Sequence, residues 1–185
     1  MIQDEKFFEV LKQINRTPIE QATLSHSAII SIDRKLVQAV AERYGEDKAI
    51  EVHKKKWLYI IEREFEDLQK RFKLKRGNEL QILGRIMQNV YDNTFLCPFK
   101  YSIVTPRKAV GIIIACPFYD AGRSIYGDKH GSVWFNAIAN TCIWIAGKIT
   151  NLAGLSGIIT VERDKCMCLN KNDDICRIIL QYKRC

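Results

Sequence analysis

The most constraining stretch of this sequence is a short polar turn near the C-terminus, flanked on both sides by apolar residues and cysteines. It lies between Lys165 and Ile178, and four polar residues, Asn170 to Asp173, separate its two halves. A chain that reverses within four polar residues forms a β-hairpin. If the hairpin closes around this turn, Cys168 and Cys176 lie on opposite strands near the same rung. A disulfide, a shared metal ion and two small core residues are all compatible with that position.

The composition is that of a globular protein with one domain. The chain has 185 residues, of which 47% are hydrophobic and 27% charged, and a chain of this length can bury most of its apolar surface. No apolar run reaches the roughly 18 residues of a membrane-spanning helix, and the N-terminus does not resemble a signal peptide. We therefore expect a cytoplasmic protein with no membrane partner, in which thiols stay reduced for metal binding or catalysis.

The net charge of +8 would permit binding to nucleic acid or to an acidic partner. The densest basic clusters, residues 53–56 and 70–76, lie in strongly helical segments that also carry Glu and Asp. No nucleic-acid-binding motif accompanies them, so solvated helix faces are the favoured interpretation. We do not expect a nucleic-acid partner.

Apolar residues at helical spacing predict that the first half of the chain, residues 1–91, is helical. The predicted helices cover residues 4–14, 28–44, 46–72 and 79–91, with Thr17-Pro18 ending the first and residues 19–27 undecided. The second helix carries an apolar stripe that we expect to face inward: Ile29, Ile32, Leu36, Val37, Val40 and Ala41.

The second half, residues 92–185, has the texture of a sheet with two helices. Predicted strands cover residues 95–104, 109–115, 157–169 and 175–182. One predicted helix begins at Cys116-Pro117, and a second covers residues 132–149. Because helices need a surface to pack on, we expect one α+β domain over residues 1–185. In this domain, the helical part, residues 1–91, packs on a small, mainly antiparallel sheet that ends in a C-terminal β-hairpin. Residues 92–185 form the sheet and ligand-binding part.

The spacing of three cysteines suggests a metal site. Cys142, Cys168 and Cys176 are 26 and then 8 residues apart, on a predicted helix and two paired strands. Thiolates bind zinc within a shell of four ligands. The fourth ligand stays open, with candidates in Cys166, Glu162, water, Cys116 and Cys97. The alternatives are cysteines that only fill the core and, less favoured, an iron–sulfur cluster.

Cys116 suggests a second kind of chemistry. A thiol at a helix N-terminus feels a partial positive charge, which lowers its pKa and favours the thiolate. A nucleophile also needs a base, so His130 or His53 would have to come near it. A buried thiol at a compact strand-to-helix turn is the interpretation we favour.

The C-terminal half also resembles known families over residues 94–182. The resemblance rests on the segment from Cys116-Pro117-Phe118-Tyr119 to Gly127, on Cys142, and on the stretch from Cys168 to Cys176-Arg177-Ile178. These motifs resemble the 4-vinyl-reductase-type, or hydrocarbon-binding, small-molecule domain and the L-2-amino-thiazoline-4-carboxylic acid hydrolase-like family.

The resemblance implies zinc held by three cysteines and a glutamate. Cys142, Cys168 and Cys176 match the cysteine positions, whereas Lys165 stands where the family has its glutamate. It further implies a pocket for a small apolar or aromatic molecule, which we expect to be lined partly by Trp134, Phe135, Ile138 and Trp144. For the hydrolase-like family, the implied activity is the opening of a thiazoline ring.

The leading expectation is thus a homodimeric small-molecule-binding protein with a cysteine-ligated structural zinc. The alternative is a hydrolase of a small cyclic amide or thiazoline carboxylate, with Cys116 as its nucleophile. The sequence does not distinguish a sensor from an enzyme.

Overall fold

The structure is a computed structural model that describes residues 18–72, 77–126 and 131–183. The described residues form helices packed on a four-stranded antiparallel sheet, which confirms the predicted α+β fold. The α-helices are α1 (Pro18–Tyr44), α2 (Glu46–Arg71), α3 (Glu79–Asn89), α4 (Pro117–Tyr126) and α5 (Val133–Leu152). The strands are β1 (Phe99–Thr105), β2 (Lys108–Ile113), β3 (Ile159–Lys165) and β4 (Cys176–Tyr182).

Helix α1 is longer than predicted and buries a different face. Its described part begins at Pro18, a residue that the first turn of a helix tolerates because proline has no N–H that would need a partner there. Three residues of the predicted inward stripe are exposed, so the prediction is wrong there: Ile29 (51%), Ile32 (68%) and Leu36 (43%). It is right at Val37, which is buried, and at Val40 and Ala41, which are partly buried against the core. The residues that face the core are Ile30, Asp33 and Val37. Asp33 can lie there because it is paired with side chains of α2. The helix predicted over residues 4–14 lies outside the described residues.

A π-helical turn, Val90–Thr94, follows α3 and delays the first strand. The carbonyl of Tyr91 accepts a hydrogen bond from the N–H of Cys97 at 2.9 Å, and Asp92 Oδ1 accepts one from the N–H of Phe99 at 2.7 Å. These bonds hold residues 95–98 against the turn, so β1 begins at Phe99 rather than at Phe95.

The sheet has the strand order β1-β2-β4-β3, and one face packs on the helices. In the centre of the sheet, Ile113 of β2 lies opposite Cys176 of β4, and Ala109 lies opposite Leu180. All four side chains are buried. Cys176 is therefore a buried residue of a central strand, at the end where β4 begins.

The C-terminal hairpin forms, but its connection is longer than predicted. Strand β3 ends at Lys165 and β4 begins at Cys176, so Cys166 and Cys168 lie in the connection, and the prediction that Cys168 faces Cys176 on a paired strand is wrong. Asp173 Oδ2 accepts a hydrogen bond from the N–H of Cys166 at 2.9 Å. The carbonyl of Cys166 accepts hydrogen bonds from the N–H groups of Leu169 and Asn170, both at 3.0 Å. These local hydrogen bonds replace the strand ladder.

Helix α5 is the central element of the fold. It begins after Ser132, whose hydroxyl accepts a hydrogen bond from the N–H of Phe135 at 3.4 Å, and it contacts α1, α2, α3, α4 and β3. Within the described ranges, no helix is both long and apolar enough to cross a membrane.

Candidate functional site

The helices and the sheet line a cavity next to α5. Its lining comes from both parts of the chain, with side chains from α2, the π-helical turn, β2, α4, α5 and the connection between β3 and β4. The cavity volume is about 40 Å³, roughly three times the 10–15 Å³ that one water requires. In this conformation, the cavity holds a small group and not a long molecule.

Aromatic side chains form one wall of the cavity. The ring of Trp57 lies 4.7 Å from that of Phe95 and 5.9 Å from that of Phe118, measured between centroids. The rings of Phe95 and Phe118 are 6.2 Å apart. Aliphatic side chains complete the apolar lining: Ile113, Ile138, Ala139 and Ile145.

The polar side chains that line the cavity are bonded to the protein itself. His53 Nδ1 lies 2.6 Å from Thr141 Oγ1, and His53 Nε2 lies 2.9 Å from Asp33 Oδ2. The hydroxyl of Tyr91 donates to the carbonyl of Cys142 at 2.7 Å. Both ring nitrogens of His53 are therefore engaged, and a ligand finds few unsatisfied polar atoms on the walls.

Lys56 completes the buried group by forming an ion pair with Asp33. Burial favours the neutral form of Asp33, but its hydrogen bonds and charge interactions with His53 and Lys56 outweigh that effect and lower its pKa. For Lys56, burial outweighs the pairing with Asp33 and lowers the pKa. Asp33, His53, Lys56 and Thr141 thus connect α1, α2 and α5 beside the cavity.

All cysteines of the described ranges line this one cavity: Cys97, Cys116, Cys142, Cys166, Cys168 and Cys176. They are free thiols that fall into two groups and one separate residue. Cys97 and Cys116 form a pair, whose Sγ atoms are 3.8 Å apart. Cys166 lies 3.7 Å from Cys176 between Sγ atoms and is also hydrogen-bonded to Cys168. Cys142 lies 3.8 Å from the hydroxyl of Tyr91.

The predicted metal ligands are thus near one another, but in a different grouping. Cys166 lies with Cys168 and Cys176, while Cys142 contacts Tyr91. Glu162 lies on β3, where its side chain is exposed. In the part of the chain that the structure describes, no group of three or more His, Cys, Asp or Glu residues is arranged to hold a metal ion. The zinc site, like the iron–sulfur alternative, stays a prediction.

The structure brings one of the four predicted pocket residues to the cavity. Ile138 lines it. Trp134 is fully buried behind the aromatic wall, where its Nε1–H donates to the carbonyl of Phe118 at 3.0 Å. The ring of Phe135 packs on that of Tyr119 at 5.5 Å, and Trp144 is a half-buried residue at the edge of the core.

Cys116 lies where the sequence places it, immediately before α4. The hydrogen bond from the Cys97 thiol, together with those from the N–H groups of Tyr119 and Phe118, outweighs burial and lowers the pKa of Cys116. His53 lines the same cavity, but its nitrogens are bonded to Asp33 and Thr141. The other candidate base, His130, lies outside the described residues.

An open groove lies on the outer side of the aromatic wall. It is lined by His26, Ser27, Ile30, Ser31, Leu96, Pro117, Asp120 and Ala121, and its volume is about 450 Å³. Leu96 and Pro117 are the chain neighbours of Phe95 and Phe118, which line the cavity. The ring of His26 also packs edge-on against Phe118 at 5.7 Å. Phe118 thus lines the cavity and contacts a residue of the groove, and Phe95 lines the cavity next in the chain to a residue of the groove.

A comparison with solved structures finds a similar fold in a trafficking protein particle complex subunit 3 from Naegleria fowleri, in a crystal structure in which that protein is covalently bound to palmitic acid. The TM-score is 0.54 at 12% sequence identity, over 88% of this chain and 97% of the other. No family model and no curated protein matches the sequence. The resemblance of residues 94–182 to the hydrocarbon-binding and hydrolase-like families therefore stays a prediction.

Proposed function

We propose that this protein binds a small, largely apolar molecule in the cavity beside α5. The observation that carries the proposal is that the polar side chains on the cavity walls already have hydrogen-bond partners within the protein. His53, Thr141 and Tyr91 are hydrogen-bonded to the protein, and the remaining lining is aromatic, aliphatic or thiol. A polar ligand would lose its hydrogen bonds to water without replacement, at a cost of about 1–3 kcal/mol per group.

A hydrocarbon chain or an aromatic ring is the ligand class that fits these walls. The solved structure with a similar fold holds palmitic acid, which supports a hydrocarbon chain. Because the cavity volume is about 40 Å³, a chain longer than a few carbons requires movement of the lining. Movement of Phe95 and Phe118 would join the cavity to the groove and make room for the rest of the chain.

A titration with defined ligands tests the proposal. We expect wild-type protein to bind a fatty acid or an alkylbenzene with an affinity that Ile138→Phe weakens at least tenfold, about 1.4 kcal/mol, by filling the cavity. Ile158→Phe is the matched control, because Ile158 is 47% exposed and lies outside the lining. Equal affinities of the two variants, or no binding of either ligand to the wild type, would refute an apolar binding site here.

The hydrolase alternative finds less support in the geometry. Its nucleophile, Cys116, is in place, but neither ring nitrogen of His53 is left to act as its base. Ring opening of a thiazoline also requires groups that orient a polar substrate, which the apolar walls do not supply. We therefore place ligand binding ahead of hydrolysis.

A further inference from the structure

The open groove lined by α1 and α4 is large enough for a small organic molecule. Its volume of about 450 Å³ lies within the roughly 300–1,000 Å³ of ligand pockets in proteins. Helix α1 contributes the buried side chain of Ile30, and α4 contributes Pro117 and Ala121. Leu96, which precedes β1, completes this apolar part of the lining and is 43% exposed. The groove therefore offers an apolar surface that a ring or a short aliphatic group can cover.

The polar part of the lining carries one negative charge. Asp120, in the first turn of α4, is exposed and supplies a carboxylate. Ser27 and Ser31 lie four positions apart, so both hydroxyl groups lie on the same face of α1. No lysine or arginine of the described residues lines the groove. The charge of the lining therefore favours a cationic ligand over an anionic one.

His26 brings a buried polar atom without a partner to the same groove. Among the described residues, its Nε2 is buried and has no hydrogen-bond partner. Burial lowers the pKa of His26, so the ring is neutral near pH 7. A neutral imidazole has one acceptor nitrogen, and with the proton on Nδ1 that acceptor is Nε2. A ligand N–H that reaches it would supply the partner that buried polar atoms normally have.

The backbone fixes the position of Leu96 at the rim of the groove. The N–H of Phe95 donates to the carbonyl of Val90 at 3.3 Å, and the N–H of Cys97 donates to that of Tyr91 at 2.9 Å. Between them, Leu96 has a φ of 49°, in the left-handed region. Strained residues persist where the surrounding structure determines them, and they are concentrated at ligand-binding sites. The Leu96 side chain is thus a preorganised part of the apolar surface.

We propose that the groove binds a small organic amine, whose ammonium group pairs with Asp120 and whose apolar part covers Leu96 and Ile30. An ammonium has three N–H donors. One makes a charge-assisted hydrogen bond to the carboxylate on α4, and the others reach the hydroxyl groups of Ser27 and Ser31 on α1. This site is separate from the cavity beside α5, and it takes a ligand class that the proposed function does not include.

An NMR titration of the full-length chain with 2-phenylethylamine at neutral pH tests the site. We expect the amide signals of Ser31 and Asp120 to shift. We also expect an affinity about tenfold higher than for 3-phenylpropionate, which carries the same ring and the opposite charge. Asp120→Asn should weaken amine binding about tenfold. Asp174→Asn is the matched control, because it removes an exposed carboxylate outside the groove, and it should leave the affinity unchanged.

Three results would overturn the assignment. They are an absence of amine binding to the wild type, equal affinities for the amine and the carboxylate, and an Asp120→Asn variant that binds as the wild type does. The spectrum of Asp120→Asn without ligand shows whether this variant is folded. Leu96→Gly, which removes the strain together with the side chain, should also bind the amine less tightly, because it loses apolar contact.

Two further comparisons separate the site from its alternatives. Butylamine, which matches the end of a lysine side chain, should bind about fivefold more weakly than 2-phenylethylamine, because it buries less apolar surface. Tighter binding of butylamine would assign the groove to lysine side chains of a partner and overturn the proposal. Ile138→Phe, which fills the cavity, should leave the amine affinity unchanged, whereas a loss would place the amine in the cavity. Amine binding by a protein that binds no apolar ligand would uphold this inference without the proposed function.

Discussion

Asp33 of α1 and His53 of α2 are joined by a hydrogen bond of 2.9 Å between Oδ2 and Nε2, and their side chains are 2% and 1% exposed. Lys56 forms an ion pair with the same carboxylate, and Thr141 of α5 bonds to the other nitrogen of the His53 ring. Because an unpaired buried charge is costly, these residues must fold as a set. The group fixes how three helices meet beside the cavity.

Removal of the Asp33 carboxylate should therefore destabilise the folded protein strongly. We expect Asp33→Ala to lower the free energy of unfolding by about 3–5 kcal/mol, because it leaves Lys56 and His53 without their shared partner. Urea denaturation followed by circular dichroism measures the change. Asp67→Ala is the control, since Asp67 pairs with Lys70 at 3.4 Å on the surface, and its loss should stay below about 1 kcal/mol. Similar losses in the two variants would contradict a structural role for the buried group.

The same carboxylate should make stability sensitive to acid. The pKa of Asp33 is lowered in the folded protein, so the unfolded chain, with its ordinary value of 3.8, binds the proton more readily. This stabilisation is complete above the unfolded pKa and is lost as the pH falls below about 4, towards the folded pKa. We expect the free energy of unfolding, measured by urea denaturation at each pH from 7 to 3, to fall more steeply for the wild type than for Asp33→Asn. Parallel curves for the two proteins would contradict the lowered pKa.

Leu96 provides a test of backbone strain at the rim of the groove. Its φ of 49° lies in the left-handed region, although the residue is not glycine, and for such a residue that conformation costs about 1–2 kcal/mol. The side chain is 43% exposed, so little packing is lost when it is removed. We expect Leu96→Gly to raise the free energy of unfolding by about 1 kcal/mol, whereas Leu96→Ala, which keeps the strain, should not. A gain in both variants would point to the side chain instead.

Metal analysis tests the zinc site that the sequence predicts. If Cys142, Cys168 and Cys176 bind zinc, protein purified under reducing conditions without added metal should contain about one zinc per chain. Cys176→Ser should lose the metal, and Cys185→Ser, at the one cysteine that is not a candidate ligand, should keep it. Wild-type protein with reduced thiols and no zinc would refute the prediction.

The order of helices and strands could be predicted from the sequence, because apolar periodicity and turn residues are local signals. The sequence does not predict which face of α1 is buried. Ile29 and Ile32 form an apolar stripe that the structure exposes, while Asp33 lies inside because His53 and Lys56 pair with it from another helix. Pairing partners 20 or more positions away leave no trace in local periodicity.

The candidate site shows the same division. Cys116 before α4 was predicted from Cys116-Pro117, but its pairing with Cys97 was not. The short gap between the predicted strands 95–104 and 109–115 could have indicated it, since a hairpin closed there places Phe99 opposite Ile113 and brings Cys97 and Cys116 to the same end. The positions of Cys166 and Cys168 depend on the hydrogen bond between Asp173 and the backbone of Cys166. Because this hydrogen bond holds Cys166 in the connection between β3 and β4, the connection is longer than the predicted four-residue turn, Asn170–Asp173.

The cavity beside α5 has a thermodynamic consequence. Its volume of about 40 Å³ is space that the protein's own side chains do not pack, which at about 24 cal/mol per Å³ corresponds to on the order of 1 kcal/mol of packing. Its walls come from the helical part and from the sheet part, so an apolar occupant would restore packing to both at once. Such an occupant would therefore act as a piece of core that the polypeptide does not encode. Its binding should raise the melting temperature of the two parts together, as one cooperative unit.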